Sequence, residues 1–439
     1  MVSYFKPLWR LLILTMFTVS CATTERDNDK TIEGHWVGNC KSTDFTMQFS
    51  IDIIKADSSY TAFFNSDEQR ALNIPLQNFQ LRNDSIFFEL RGDNDSWLFR
   101  GIHKEKNISG QVIKGSKTVT FSIDRQLIEQ AKYKSTEVTF HNDTVVLSGT
   151  LFLPEAKEKV PAVIFMHGSG NEQRFASAYI ATFLAKKGIA SLIYDKRGTR
   201  KSTGNWRNSS FEDLANDAIT GVKFLESNQY INPDKIGIYG HSQGGSICPM
   251  VLNMYPKIAF GISAASAGVS MMESDWYEVQ NRFKNYVSGN DYDNAMKIME
   301  KYLKFASSGT GYTELMQEAK RFENKQWYQD YVGAIDSSAF FFSYYRKTGK
   351  YNPVDYWKSV KQPCLILKGN SDQTSPGYPS FQNIEDALKQ AGNNNYKIVI
   401  LKNTTHEMHI SGSNNDFWFK ATPGYCDTIY NWIKTIAIK

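Results

Sequence analysis

The chain has 439 residues, of which 41% are hydrophobic and 22% charged. These are ordinary globular values and exclude disorder over most of its length. At roughly 150 residues per domain there is room for two or three domains. The formal net charge of +5 falls to about +3 once Lys6 and Arg10 are set aside with a segment expected to be removed. So small a balance gives no ground for a nucleic-acid partner.

Residues 11–19 (LLILTMFTV) are apolar, with Lys6 and Arg10 before them and Ser20-Cys21 after. A basic start, a short apolar run and a small residue predict a secretory signal over residues 1–20. The run is too short to span a bilayer. Cys21 directly after it resembles the cysteine of a bacterial lipobox, although Thr18 stands where lipoboxes usually carry Leu. The resemblance implies an exported protein held at the cell envelope by a lipid anchor at Cys21. Polar residues 21–31 would then be a tether. The remaining cysteines, Cys40, Cys248, Cys364 and Cys426, form no CxxC pair, so neither a metal knuckle nor a redox motif is expected.

Residues 32–127 alternate. Phe45, Met47, Phe49, Ile51 and Ile53 interleave with polar residues, and short runs follow at 60–64, 85–90, 97–102 and 119–123, separated by turn residues. This predicts an antiparallel all-β barrel or sandwich with no chemical motif. Its expected role is as a spacer or packing partner. A second reading is a glycan binder using exposed Trp36 and Trp97, against which both tryptophans are more simply core.

From residue 133 to 439 strands and helices alternate, which predicts an α/β fold, a doubly wound and mostly parallel sheet. Strands are expected at 138–140 and 145–153, 162–166, 189–194, 235–239, 258–264, 364–368 and 397–401. The helix over 211–226 is predicted to start from a capping box of Ser209 and Glu212. Residues 273–357 break the rhythm with a helical insert. It carries 20 aromatic residues between 276 and 357, and a helical insert at that place is expected to cap the crevice at the strand ends.

Gly240-His241-Ser242-Gln243-Gly244 is G-x-S-x-G between an apolar strand and a helical stretch. That context suits a nucleophile on a tight strand-to-helix turn, with glycines leaving room for the backbone. The expected base is His406, a few residues past the last strand, with His409 the alternative. His406-Glu407-Met408-His409 is not HExxH, which disfavours a zinc site. Asp372, after the strand 364–368, is the expected orienting carboxylate, with Glu385 and Asp386 as alternatives inside a helix. The oxyanion hole is expected from the backbone N–H of Gln243 and of Ser169 in His167-Gly168-Ser169-Gly170, with Gly170 second. His167 is read as a structural anchor of that loop. No metal or organic cofactor is implied.

With these pieces in order, residues 133–439 resemble the α/β-hydrolase fold, within the serine esterases and serine aminopeptidase-like hydrolases. The carrying motifs are 167–170, Asp195-Lys196-Arg197-Gly198, 240–244, 369–372 and His406. Where relatives often read D-x-R-G-x-G-x-S, Arg200 replaces the second glycine here. The resemblance implies hydrolysis of an ester, thioester or amide. A carboxylic-ester hydrolase working through an acyl-enzyme is expected first. A peptidase or amidase is the alternative, needing a subsite for a charged terminus from Glu273, Asp275 or Glu278. A non-catalytic envelope-binding protein is disfavoured by the intact Ser, Asp and His.

Overall fold

The protein is described here from a computed structural model covering residues 31–43, 45–56, 59–91, 96–127, 132–378, 380–412 and 419–438. The expected signal and lipid-anchor cysteine lie outside the described residues. Among those described, no helix is long and apolar enough to cross a membrane.

The alternating N-terminal stretch forms nine antiparallel strands: β1 (Gly34–Lys41), β2 (Thr46–Ala56), β3 (Ser59–Ser66), β4 (Ala71–Pro75), β5 (Gln77–Arg82), β6 (Ser85–Arg91), β7 (Ser96–Lys104), β8 (Asn107–Lys114) and β9 (Lys117–Gln126). Their order in the sheet is β4-β3-β2-β1-β9-β8-β7-β6-β5. The two end strands are separated in the chain only by Leu76, whose N–H donates to the Ala62 carbonyl of β3 at 2.8 Å. That bond extends the β3–β4 ladder, and the sheet curls into a barrel shape that brings Tyr60 of β3 to 5.9 Å from Phe79 of β5 and Phe49 of β2 to 5.9 Å from Phe99 of β7 across its interior. One face of every strand points inward. Phe49, Phe64, Phe88, Phe99 and Phe121 fill the interior with Trp36, which is fully buried and donates its indole N–H to the Ile32 carbonyl at 2.9 Å. Trp36 is thus core, and cannot serve as an exposed glycan platform.

The second unit is an eight-stranded sheet. Its strands are β10 (Tyr133–Asn142), β11 (Val145–Pro154), β12 (Val160–Met166), β13 (Ala190–Tyr194), β14 (Ile231–His241), β15 (Phe260–Ala264), β16 (Cys364–Gly369) and β17 (Tyr396–Leu401). They lie in the order β10-β11-β13-β12-β14-β15-β16-β17, parallel from β13 onward. β12, β13 and β15 are buried along their whole length, as a sheet covered on both faces requires. Helices α1 (Ala178–Lys186), α2 (Phe211–Glu226) and α3 (Gln243–Met254) supply part of that cover.

The capping box of α2 is one residue further on than expected. Ser210 caps and Asp213 returns the bond. The Ser209 hydroxyl is already occupied, accepting from Arg197 and donating to the Asn205 carbonyl.

Between β15 and β16 the chain leaves the sheet as α4 (Met271–Tyr286), α5 (Asn290–Ser308), α6 (Tyr312–Lys320), α7 (Gln326–Tyr331), α8 (Phe340–Thr348) and α9 (Pro353–Trp357). These helices bury a separate core around Phe283, Ile298, Leu315 and Phe342. The cap is tied down over the strand ends. Tyr277 donates to the Asp372 carbonyl at 3.3 Å, and Asn281 to the Gln373 carbonyl at 3.0 Å. The chain closes with α10 (Ser380–Gln390), β17 and α11 (Tyr425–Ala437).

Candidate active site

Ser242 sits between β14 and α3 at φ 54°, ψ −117°, a conformation costly for a residue with a side chain. The flanking glycines are required by contact. A Cβ on Gly240 would stand 2.2 Å from the Gly244 backbone, and one on Gly244 would stand 2.7 Å from the His167 carbonyl oxygen. The turn thus presents the serine hydroxyl above the sheet while the N-terminus of α3 points its free N–H groups at the same place.

The imidazole of His406 lies between two partners. Its Nε2 is 2.9 Å from the Ser242 Oγ, and its Nδ1 is 3.0 Å from the Asp372 Oδ2. Three side chains spread over 164 residues therefore meet in one line. The alternatives go elsewhere: His409 packs its ring against Phe419, Glu385 accepts from the Tyr396 hydroxyl, and Asp386 from Gln382. The Asp372 carboxylate also accepts the N–H groups of Thr374 and Ser375 at 2.9 Å each. Burial alone would raise its pKa, but the hydrogen bond from His406 and the charge of Lys368 hold it well below the usual carboxylate range. Lys368 is itself wholly buried, 3.1 Å from Oδ2.

The loop expected to supply the oxyanion hole, residues 167–170, follows β12. His167 anchors it through Nε2 to the Tyr194 carbonyl, and burial pushes the imidazole down to about 3, so it stays neutral. The Glu172 carboxylate takes the Gly168 N–H. That leaves the Ser169 and Gly170 N–H groups as the next donors in the loop, and both residues line one cavity with Gln243 at the start of α3.

Lys196 ties the two sides together. Its ammonium donates to the Gly168 carbonyl at 2.8 Å, the Gly170 carbonyl at 3.2 Å and the Gln243 Oε1 at 3.0 Å, beneath the ring of Trp206. Burial pulls its pKa down to about 8, against the opposing charge of Glu172. The chain aims this lysine by pinning both neighbours. Asp195 is held by Arg174 at 2.8 Å and Arg197 by Asp217 at 2.7 Å, all in buried ion pairs. Further along, Arg200 adopts φ 43°, a left-handed conformation that glycine would take without strain. The Gln243 amide then donates to the Tyr344 hydroxyl of α8 at 2.8 Å, joining this side of the site to the cap.

Under the cap, next to Ser169, Gly170 and Gln243, lies a cavity of about 480 Å³. Its walls include Trp206, Tyr302, Phe340, Phe341, Tyr344 and Tyr345, and also Asp275, Glu278 and Arg282. Burial raises Asp275 to about 6, although the Tyr345 hydroxyl beside it favours the anion. Glu273 is not part of this wall, because it closes the capping box of α4 with Ser270. Among the described residues, no group of three His, Cys, Asp or Glu side chains is placed to hold a metal ion.

Sequence reading missed Lys368, Glu172 and Tyr344, and it gave Lys196 no role beyond its place in the 195–198 motif. Lys368 carried a signal, a lone cation in the apolar strand CLILKG, since such a residue must find a buried partner.

A mixed sheet in this order, with a serine on the turn after β14 and a cap between β15 and β16, defines an α/β hydrolase of the esterase or peptidase type. The family model of the X-Pro dipeptidyl-peptidases (S15 family) matches residues 143–408, and the chain belongs to that family.

More local matches join it to curated proteins. Prolyl oligopeptidase A of Galerina marginata is 32% identical over 99 residues, 22% of this chain and 13% of that protein. A thiohydrolase (apmlB) of Arthrinium phaeospermum is 28% identical over 132 residues, 29% of this chain and 41% of that protein. The matches thus span less than half of either relative. Similar solved structures include an esterase of Pyrococcus furiosus at 17% identity and TM-score 0.45, covering 70% of this chain and 92% of that one.

Proposed function

We propose that this chain is a serine hydrolase that cleaves a carboxylic ester through an acyl-enzyme. The observation that carries the reading is the Ser242–His406–Asp372 line of contacts at 2.9 and 3.0 Å, beside an aromatic cavity. His406 Nε2 accepts the Ser242 proton as Oγ attacks the acyl carbon. Asp372 fixes the imidazole with Nδ1 protonated and stabilises the imidazolium. The oxyanion is received by the N–H groups of Gln243 and Ser169. His406 then returns the proton to the departing alcohol, and a water attacks the acyl-enzyme by the same route. The cavity walls favour an aromatic or apolar group on the substrate. The segment from Lys6 to Cys21 supports export and a lipid anchor for the mature protein.

The test is turnover of p-nitrophenyl acetate and butyrate. Ser242→Ala is expected to lower kcat by at least about 10³-fold, with loss of labelling by a fluorophosphonate. Equal rates in variant and parent would refute the assignment.

A second reading, a peptidase acting beside a free amino terminus, draws on the S15 family match and on Asp275 and Glu278 in the cavity wall. The thiohydrolase relative adds a thioester to the panel. Aminoacyl and dipeptidyl p-nitroanilides and a butyryl thioester, run beside the simple esters, separate the three by kcat/KM.

A further inference from the structure

His406 lies in the long connection between β17 and α11, and such a connection has many conformations to lose before an imidazole can be held within hydrogen-bond reach of a serine. The sheet contributes two holds. The Ser371 N–H donates to the Thr404 carbonyl at 2.9 Å, and His241 Nε2 contacts the His406 carbonyl at 2.9 Å. Further holds come from within the connection and from the other unit of the molecule.

The barrel turn between β3 and β4, residues 67–70, leans onto this connection. The Glu68 carbonyl accepts the Ala421 N–H at 2.6 Å, and Gln69 donates to the Phe419 carbonyl at 3.4 Å. Arg70 is held at φ 52°, a left-handed conformation unfavourable for an arginine. From there its Nη2 donates to the carbonyl of Glu407, the residue after His406, and its guanidinium lies 5.1 Å over the Tyr425 ring. Tyr425 in turn shares a 2.6 Å hydroxyl contact with Tyr239, three residues before Ser242.

The holds continue inward to the histidine. Ala421 bridges to His409, whose carbonyl accepts the Thr405 N–H at 2.8 Å, and Thr422 donates to the Met408 carbonyl at 2.9 Å. Three consecutive barrel residues thus grip both arms of the loop that presents the base.

We propose that the Glu68–Arg70 turn of the barrel is a positioning element for His406, so that the barrel completes the active site instead of serving as a spacer. Arg70 touches no reacting atom. It acts through the Glu407 carbonyl and Tyr425. The proposal rests on His406 being the base.

The experiment uses the whole protein with Arg70→Ala and Arg70→Lys, and with Arg82→Ala on a distant barrel strand as control. Hydrogen exchange of the amides at 404–410 is measured beside steady-state kinetics on p-nitrophenyl butyrate. Arg70→Ala is expected to speed that exchange at least tenfold and lower kcat about tenfold, with KM within twofold. The downfield proton resonance of the His406–Asp372 pair should broaden or vanish. Arg70→Lys, which keeps the stem and the charge, should recover part of each, while Arg82→Ala should match the parent.

Parent-like exchange, resonance and kcat in Arg70→Ala would overturn the proposal. So would a loss of activity that only tracks a loss of folded protein. If Arg70→Ala does not fold, Arg70→Lys decides by the same three readouts. If the parent itself neither turns over esters, amides or thioesters nor reacts with a fluorophosphonate, the hydrolase reading fails, and the exchange measurement still decides whether the turn orders the loop.

Discussion

The barrel and the cap both bury clusters of aromatic side chains, yet they use them in opposite ways. In the barrel the sheet curls, so inward rings from its two halves meet. Phe88 and Phe99 stack at 4.6 Å, and Phe49 touches Phe64, Phe99 and Phe121 within 6.3 Å. In the cap the helices pack against each other on one side only. Tyr302, Phe341 and Tyr345 stand between the cap core and a cavity that Ser169 and Gly170 also line. The cap is the richer of the two, with 20 aromatic residues between 276 and 357 against 12 between 32 and 127, but what decides their use is whether the backbone geometry leaves a face unsatisfied. A curled sheet whose inward faces meet leaves little on its inside, whereas a helical insert over a crevice does.

This contrast can be broken by substitution. The largest effect is expected where the cap meets the oxyanion loop. Lys196→Met removes the three-way hold on Gly168, Gly170 and Gln243 and should lower kcat about 10²-fold, with KM changing little, as for the loss of one oxyanion donor. The parent should also lose kcat as pH rises through about 8, where the buried ammonium gives up a proton and keeps only two donors for three acceptors. A pH–rate profile in which the variant keeps that alkaline limb would contradict this role.

A smaller effect is expected in the cavity wall. Asp275 has a folded pKa of about 6, above its ordinary 3.8. Its charge therefore works against the fold above about pH 6 and costs nothing below about pH 4. Asp275→Asn should stabilise the protein at pH 7 by about 1 kcal/mol, a gain that fades by pH 4. If the amine reading holds, the same change raises KM about tenfold for aminoacyl substrates and leaves neutral esters alone. In the parent that discrimination fades as pH falls through about 6. Thermal melts at the two pH values and a KM series across them check both halves.

The smallest catalytic effect belongs to the barrel interior. Phe88→Ala should cost about 3–5 kcal/mol of barrel stability and leave kcat and KM unchanged at temperatures where the barrel stays folded. A changed KM with a folded barrel would mean that its core reaches the substrate site.

Much of this arrangement was readable in the chain. The period-two alternation around Phe45–Ile53 foretold a strand, because a half-buried β-surface requires it. The apolar runs at 162–166 and 189–194 foretold a sheet covered on both faces. Gly240–Gly244 foretold the elbow, because only glycine fits beside Ser242 at those contact distances. Weakly patterned strands such as β4, β5 and β8 escaped notice, since their outward faces are polar and their inward residues few. Lys368 and the role of Lys196 escaped it too, since a buried cation is understood only when its partners are known.

Local order thus belonged to the sequence: which segments become strands and helices, which turn can hold a strained serine, and which residue types could do acyl chemistry. These follow from side-chain size, backbone freedom and periodicity, all of which act over a few residues. Tertiary structure alone decided that His406 and not His409 reaches Ser242, that Glu273 caps a helix while Asp275 faces a cavity, and that a barrel turn grips the loop carrying the imidazole. Those outcomes depend on distances between residues up to some 350 positions apart in the chain, and such distances exist only once the sheet, the cap and the barrel have packed.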